Sequence, residues 1–337
     1  MGGGERGRIV NPRALLAADC GRGVGLGHLE RMLALADALR PDIEVCLVLP
    51  DGDGGLRQRV VERGHATLEM PGDTAQRAVA AVDAAARADV VVLDGYVFDV
   101  SLQRRLRRRA PLAVVDDLGL AADCDLGVNP SPGGEHVRPT GVTTFLGGAA
   151  FALVRGSFLA ARALVSQRGH GARVVLVSTG ATDLDGLGSR VSAELLRGDA
   201  TVEVIRVVGP DTQTTAKRPP SRERLLIAPS SLAEALAGAG IYVGAAGTTA
   251  VQAACVGIPA VITAAVPNQR AQAAALAEAG CAVVADPDGL AVACRDLLDD
   301  PARCEEMAAR GRALVDGQGA SRVAQAVRAL TTVRAAR

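Results

Sequence analysis

Two rhythms of apolar residues alternate along this chain. Short unbroken aliphatic runs, such as Val90-Val91-Val92-Leu93, are followed by longer stretches in which apolar residues recur every third or fourth position. The first rhythm suits a strand covered on both faces, the second a helix with one apolar stripe. In the first half the runs predict strands over 13–18, 44–49, 66–70, 90–93, 112–115 and 125–128. Helices are expected between them, near 28–40, 55–63, 74–87 and 99–109. Strands alternating with helices are βαβ units, which build a parallel sheet.

After Asn129 the rhythm breaks. Residues 130–140 are rich in Pro and Gly and read as a loop. A short strand at 144–146, a helix at 157–165 and a polar, glycine-bearing 166–171 follow. Alternation resumes with strands expected over 173–178, 203–208, 225–228, 241–243, 260–263 and 282–284. Arginine-rich helices over 301–315 and 321–334 close the chain, and Pro301 suits a first helical position. At 337 residues the chain is too long for one ordinary core. The expectation is an α/β protein of two Rossmann-like domains, 1–168 and 169–320, with 321–337 as a helix crossing back to the first.

Composition narrows the partners. Lys and Arg number 37, as do Asp and Glu, so nothing marks a footprint for nucleic acid or an anionic membrane. Aromatic residues are 2% of the chain, too few for base-stacking platforms. No run of about 18 apolar residues predicts a membrane span. Residues 1–5 lack the apolar core of a secretory signal. The seven cysteines are scattered and never in a C-x-x-C pair. Buried thiols in a reducing cytoplasm are expected rather than a disulfide or zinc framework.

Ligands of open α/β sheets bind beyond the carboxyl ends of the strands, and five such places carry unusual residues. The first runs from Asp19 through Gly25 and Gly27 to His28 and Arg31. Its glycines allow close backbone approach, but it lacks the third glycine of a dinucleotide fingerprint. The positive end of a helix disfavours imidazolium, so His28 reads either as a base or as a residue that caps the turn or holds phosphate. The second is Asp94-Gly95-Tyr96, whose carboxylate and phenol suit sugar hydroxyls, or whose Asp caps the following helix. The third, Asp116-Asp117, could bind a polar ligand, brace the His28 loop or make a turn.

The fourth, 178–183, sets Ser178, Thr179, Gly180 and Thr182 before a helix as a phosphate-facing turn. Asp183-Leu184-Asp185, which begins at its end, spells D-x-D, but acidic residues are ordinary at a helix start, so no metal site is expected. The fifth combines the turn Gly244–Thr249, Gln252, and the polar pair Asn268-Gln269 after the next strand. A helix start with backbone donors and threonine hydroxyls can receive a diphosphate. Two neighbouring crossovers with polar residues at the same end favour a ligand site. His65, His136 and His170 read as surface loop residues, and the arginines from 104 to 109 as a solvated face.

The run Asp19, Gly25-x-Gly27-His28-x-x-Arg31, followed by Leu33-Ala34-Leu35-Ala36-Asp37-Ala38-Leu39, resembles the opening of the PseG/SpsG family. That group includes the UDP-sugar hydrolases of pseudaminic acid biosynthesis and spore-coat polysaccharide proteins. The similarity continues in order through Asp94-x-Tyr96, Asp116-Asp117, Cys124-Asp125, and Gly147 to Ala152-Leu153-Val154-Arg155. Gly180-x-Thr182-Asp183, Gly244 to Thr249, Gly257-Ile258-Pro259 and Asn268-Gln269-Arg270 complete it over nearly the whole chain. The second half also resembles the UDP-binding half of MurG-type glycosyltransferases.

The resemblance implies a GT-B fold, with the nucleotide held by the second domain and the chemistry in a central cleft. It implies His28 as general base. Asp19, Gly25, Gly27, Arg31, Asp94, Tyr96, Asp117, Arg155, Asn268 and Gln269 become substrate-binding candidates. Thr182, Ala246, Gly247, Thr248, Thr249 and Gln252 become nucleotide-binding ones. The departures bear on substrate: Ala17 stands where the hydrolases carry Arg, Gly95 where they carry His, Gln252 where they carry Glu, and Ala181 where they carry Gly. Such changes suit relatives resembling cytosylglucuronate synthase. The expected reaction is inverting transfer from a UDP-sugar, with glucuronate as candidate sugar and cytosine as candidate acceptor, needing no cofactor or metal. Arg22, Arg31, Arg155 and Arg270 are candidates for a uronate carboxylate. Attack by water, as in the hydrolases, is the competing expectation. A non-catalytic nucleotide-sugar-binding protein is a third, which His28 argues against.

Overall fold

The computed structural model describes residues 13–21, 25–71, 88–120, 122–168, 172–180, 186–209 and 221–335. The helix expected over 74–87 lies outside them, as do Arg22, His170, Ala181, Thr182, Asp183 and Asp185. Among the described residues the strands form two wholly parallel sheets. The first contains β1 (Arg13–Ala18), β2 (Glu44–Pro50), β3 (Ala66–Met70), β4 (Val90–Asp94), β5 (Leu112–Val115), β6 (Cys124–Asn129) and β7 (Val142–Gly147). The second contains β8 (Val174–Ser178), β9 (Glu203–Val208), β10 (Glu223–Ile227), β11 (Ile241–Ala245), β12 (Ala260–Thr263) and β13 (Ala282–Val284).

The strand orders are β3-β2-β1-β4-β5-β6-β7 and β10-β9-β8-β11-β12-β13. In each sheet the direction of winding reverses once, between β1 and β4 and between β8 and β11. Crossovers leave those neighbouring strands on opposite faces, and a crevice opens at their carboxyl ends.

The first lobe's helices are α1 (Gly27–Leu39), α2 (Gly54–Val61) and α3 (Val100–Arg107). Those that follow are α4 (Gly156–Arg168), α5 (Leu187–Gly198), α6 (Ala233–Gly238), α7 (Thr248–Val256), α8 (Gln269–Glu278), α9 (Leu290–Leu298), α10 (Pro301–Leu314) and α11 (Gly319–Ala335). Asp53, Asp99 and Asp300 each accept a backbone N–H in the first turn of α2, α3 and α10, which supplies orphan donors with a partner.

Two of these helices serve the lobe across the cleft. Phe158, Ala161 and Val165 of α4 pack with Leu236, Tyr242, Val256 and Ile262 of the second lobe. Ala320, Val323, Ala324 and Val327 of α11 pack with Leu16, Leu29, Met32 and Leu33 of the first. Each fully buried leucine among them is worth roughly 2 kcal/mol. The chain therefore crosses between lobes twice, and the crossings touch: a Cβ on Gly319 would lie 2.3 Å from the Ala152 carbonyl oxygen. Only glycine lets the two backbones meet there.

One surface expectation is corrected. His65 is buried, with its Nε2 2.7 Å from Asp37 Oδ1 of α1. The arginines from 104 to 109 do form a solvated face: Arg104, Arg105, Arg108 and Arg109 are exposed, and Arg107 is half-buried where it bonds Asp123 and Asp125. His136 is exposed.

Candidate active site

A cleft of about 450 Å³ lies between the lobes at the carboxyl ends of the strands, within the usual range for a ligand site. Gly25, Leu26, Gly27, His28, Glu30 and Arg31 enter it from the first lobe, where β1 turns into α1. Among the described residues, no side chain caps the start of α1. His28, in its first turn, points inward: Nδ1 lies 2.7 Å from Asp94 Oδ1 and 2.8 Å from Arg31 Nη2. With Nδ1–H donated to the carboxylate, Nε2 keeps its lone pair for the cleft.

Asp94 ends β4 and is wholly buried. Arg31 Nε donates to its Oδ2 at 3.0 Å and Arg31 Nη2 to its Oδ1 at 2.6 Å. Arg31 Nη1 continues to Asp117 Oδ2 at 2.7 Å, and the Tyr96 hydroxyl donates to Asp117 Oδ1 at 2.5 Å. Burial alone would lower the Arg31 pKa, but Asp94 and Asp117 more than offset it and hold the guanidinium charged. Burial likewise opposes ionisation of Asp117, yet Arg31 and the Tyr96 hydroxyl bring its net direction below the usual carboxylate range. Desolvation, then the Asp117 charge, pushes the Tyr96 phenol up, so it remains a donor.

Asp116 has a separate task. Its carboxylate accepts the Leu118 and Leu120 N–H groups at 2.8 and 2.6 Å and shapes the turn. Burial nevertheless pushes its pKa up. The capping alternative for Asp94 does not hold either, since Asp99 caps α3 with its own side chain. Asp19 is buried behind the cleft wall, its N–H donating to the Asp94 carbonyl at 2.8 Å. Gly95, at φ +150°, presses against it: a Cβ there would lie 2.4 Å from Asp19 Cβ.

The second lobe answers with its own helix start. β11 ends in Ala245, and α7 begins at Thr248 with Gly247 as N-cap and no side-chain cap. Ala246, Gly247, Thr248, Thr249 and Gln252 line the cleft, Gln252 as a buried side chain. The starts of α1 and α7 converge, because a Cβ on Gly27 would lie 3.0 Å from Thr248 Oγ1. Two positive helix ends facing one spot favour negative charge there.

Asn268 and Gln269 come from the neighbouring crossover. Asn268 Nδ2 donates to the Tyr96 hydroxyl at 3.0 Å, joining the lobes across the cleft. Gln269 Oε1 accepts the Ala265 N–H at 3.0 Å. Gln272, which the sequence did not single out, donates to the Ala246 and Gly247 carbonyls at 2.7 and 2.9 Å. Its spacing of three from Gln269 on one helix face was the available signal. The loop over 130–140 also contributes, with Ser131, Pro132, Gly133, Gly134 and Val137 on the cleft. Arg155 lines the cleft beside Glu30, 3.1 Å from its Oε2, and burial lowers the Arg155 pKa. Arg270 is exposed, and Thr182 lies outside the described residues.

No family model matches the chain, and no curated protein matches it in sequence. Solved structures do match in fold. The spinosyn forosaminyltransferase SpnP aligns with a TM-score of 0.68 at 16% identity, over 96% of this chain and 100% of that one. The glycosyltransferase SnogD from Streptomyces nogalater aligns with a TM-score of 0.64 at 20% identity, over 96% and 100%. MurG of Acinetobacter baumannii aligns at 0.62 and 17%, over 94% and 99%. Two parallel-sheet lobes facing one cleft, matched end to end by these proteins, make the fold GT-B.

Proposed function

We propose that this chain transfers a sugar, with inversion, from a UDP-sugar to a small acceptor, with His28 as general base. The observation that carries the reading is the meeting of the α1 and α7 starts beside the His28–Asp94 pair. An acceptor O–H or N–H gives its proton to Nε2 of His28 while its lone pair attacks C1 of the sugar. The C1–O bond to the diphosphate breaks, and its electron pair leaves on the phosphate oxygen. Backbone N–H groups at the start of α7 and the Thr248 and Thr249 hydroxyls receive that developing charge, a role that calls for no metal. A positioned base contributes about 10²–10⁴-fold to such a step.

An organic acceptor is favoured over water by Tyr96 and Val266, which line the cleft yet are 37% and 36% exposed, surface that a bound molecule would cover. The specific form we put forward is glucuronate transfer from UDP-glucuronate to cytosine, with Arg155 or Arg31 facing the uronate carboxylate. The PseG-like hydrolysis is the competing reaction.

Incubation with UDP-glucuronate and other UDP-sugars, with and without cytosine and in EDTA, tests both. Acceptor-dependent UDP release supports transfer, and acceptor-independent release supports hydrolysis. Turnover unaltered in His28→Ala would remove the base assignment.

A further inference from the structure

The cleft wall that follows β10 has an unusual set of partners. The chain turns there through Ala228, Pro229, Ser230 and Ser231, and Ala228, Pro229, Ser231 and Leu232 line the cleft. Ala228 has φ 40°, the left-handed region that a residue with a Cβ adopts only under constraint. Three successive carbonyls are held by arginines that do not belong to this sheet. Arg59 Nη2 donates to the Ala228 oxygen at 2.6 Å and Arg59 Nη1 to the Pro229 oxygen at 2.9 Å. Arg63 Nη2 and Arg155 Nη2 both reach the Ser230 oxygen, at 2.8 and 3.2 Å.

Arg59 stands on α2 of the first lobe, its side chain 12% exposed. Glu30, two residues beyond His28 on α1, lies 3.1 Å from Arg155 and 3.9 Å from Arg59. The helix bearing His28 is thus tied through one carboxylate to the guanidiniums that grip the opposite wall. β10 lies three strand positions from β11, roughly 14 Å at ordinary strand spacing. With the diphosphate at the start of α7, the Tyr96–Asn268 bond and Gln269 close the β12 side. The nucleoside end of a donor is then directed toward β9 and β10.

We propose that Arg59 is a positioning residue for the donor. It holds the Ala228–Pro229 backbone from the other lobe, so that the wall meeting the nucleoside end keeps its place relative to His28. This rests on the nucleotide-sugar reading above and adds to it a residue that acts through backbone carbonyls.

The test is calorimetric titration of wild type, Arg59→Ala and Arg59→Lys with UDP and with dTDP, together with KM, kcat and melting temperature. Lysine keeps the charge but replaces the rigid two-pronged guanidinium with a single point-like ammonium. Arg59→Ala should weaken nucleotide binding roughly tenfold, and KM should rise more than kcat falls. Arg59→Lys should be intermediate. If Arg59→Ala does not fold, the lysine variant alone carries the comparison. A folded variant that binds UDP and dTDP like wild type overturns the role of Arg59 and leaves the function standing. Wild type that binds neither nucleotide overturns both.

Discussion

His28 Nδ1 and Asp94 Oδ1 are 2.7 Å apart, and the carboxylate has no exposed surface. A carboxylate in that position favours the tautomer that carries its proton on Nδ1. Asp94→Asn keeps the shape but presents an amide, which can donate to Nδ1 and leave the proton on Nε2. Turnover should fall by roughly 10²–10⁴-fold with the fold retained, as read by kcat and near-UV circular dichroism. A kcat within twofold of wild type would remove Asp94 from the machinery.

Tyr96 and Asn268 are coupled through a 3.0 Å bond between lobes. Tyr96→Phe and Asn268→Ala should each lower kcat/KM, and the double variant should lose less than the sum. A coupling of about 0.5–1.5 kcal/mol is expected from a double-mutant cycle. Additive losses would mean the bond does not form in solution.

Asp117 sits lower than the ordinary carboxylate value of 3.8 once Arg31 and Tyr96 outweigh its burial. The folded state therefore binds this proton less tightly than the unfolded chain. Its stabilising contribution is complete above pH 3.8 and is lost as pH falls through the lower folded value. Asp117→Asn should melt below wild type at pH 7, and the gap should narrow only as the pH falls below 3.8. A gap independent of pH would contradict the pairing.

Gly95 directly follows Asp94 at the end of β4. At φ +150° and with Asp19 Cβ 2.4 Å from the place of a Cβ, the position admits no side chain without moving β4 or the Asp19 turn. Gly95→His should cost about 2 kcal/mol or more, read as a lower unfolding midpoint in urea. Wild-type stability in that variant would show that the turn gives way freely.

The strands were readable where the signal was local. β1 and β4 stand out as unbroken aliphatic runs because both faces of their sheet are covered. The end of β11 was harder: Gly244 and Ala245 look like the start of a turn, yet they continue the strand. Glycine is required at 244 because a Cβ would lie 1.8 Å from the Ser178 carbonyl oxygen, a closeness that only the folded sheet reveals. Gly133 in the 130–140 loop packs against Ala275 across the cleft, which no local pattern announces. Arg59 was invisible for a related reason, and Gln272 offered only its spacing from Gln269. Both act on backbone carbonyls whose location depends on the other lobe or the neighbouring crossover.

The helix Gly319–Ala335 completes the interior of the first lobe from beyond the whole second lobe in sequence. Leu29, Met32 and Leu33 of the His28-bearing helix share that core with it. The first lobe therefore cannot close its interior before the second has been made. A cut between the lobes would leave that interior open, so the lobe that carries His28 is not a separable folding unit.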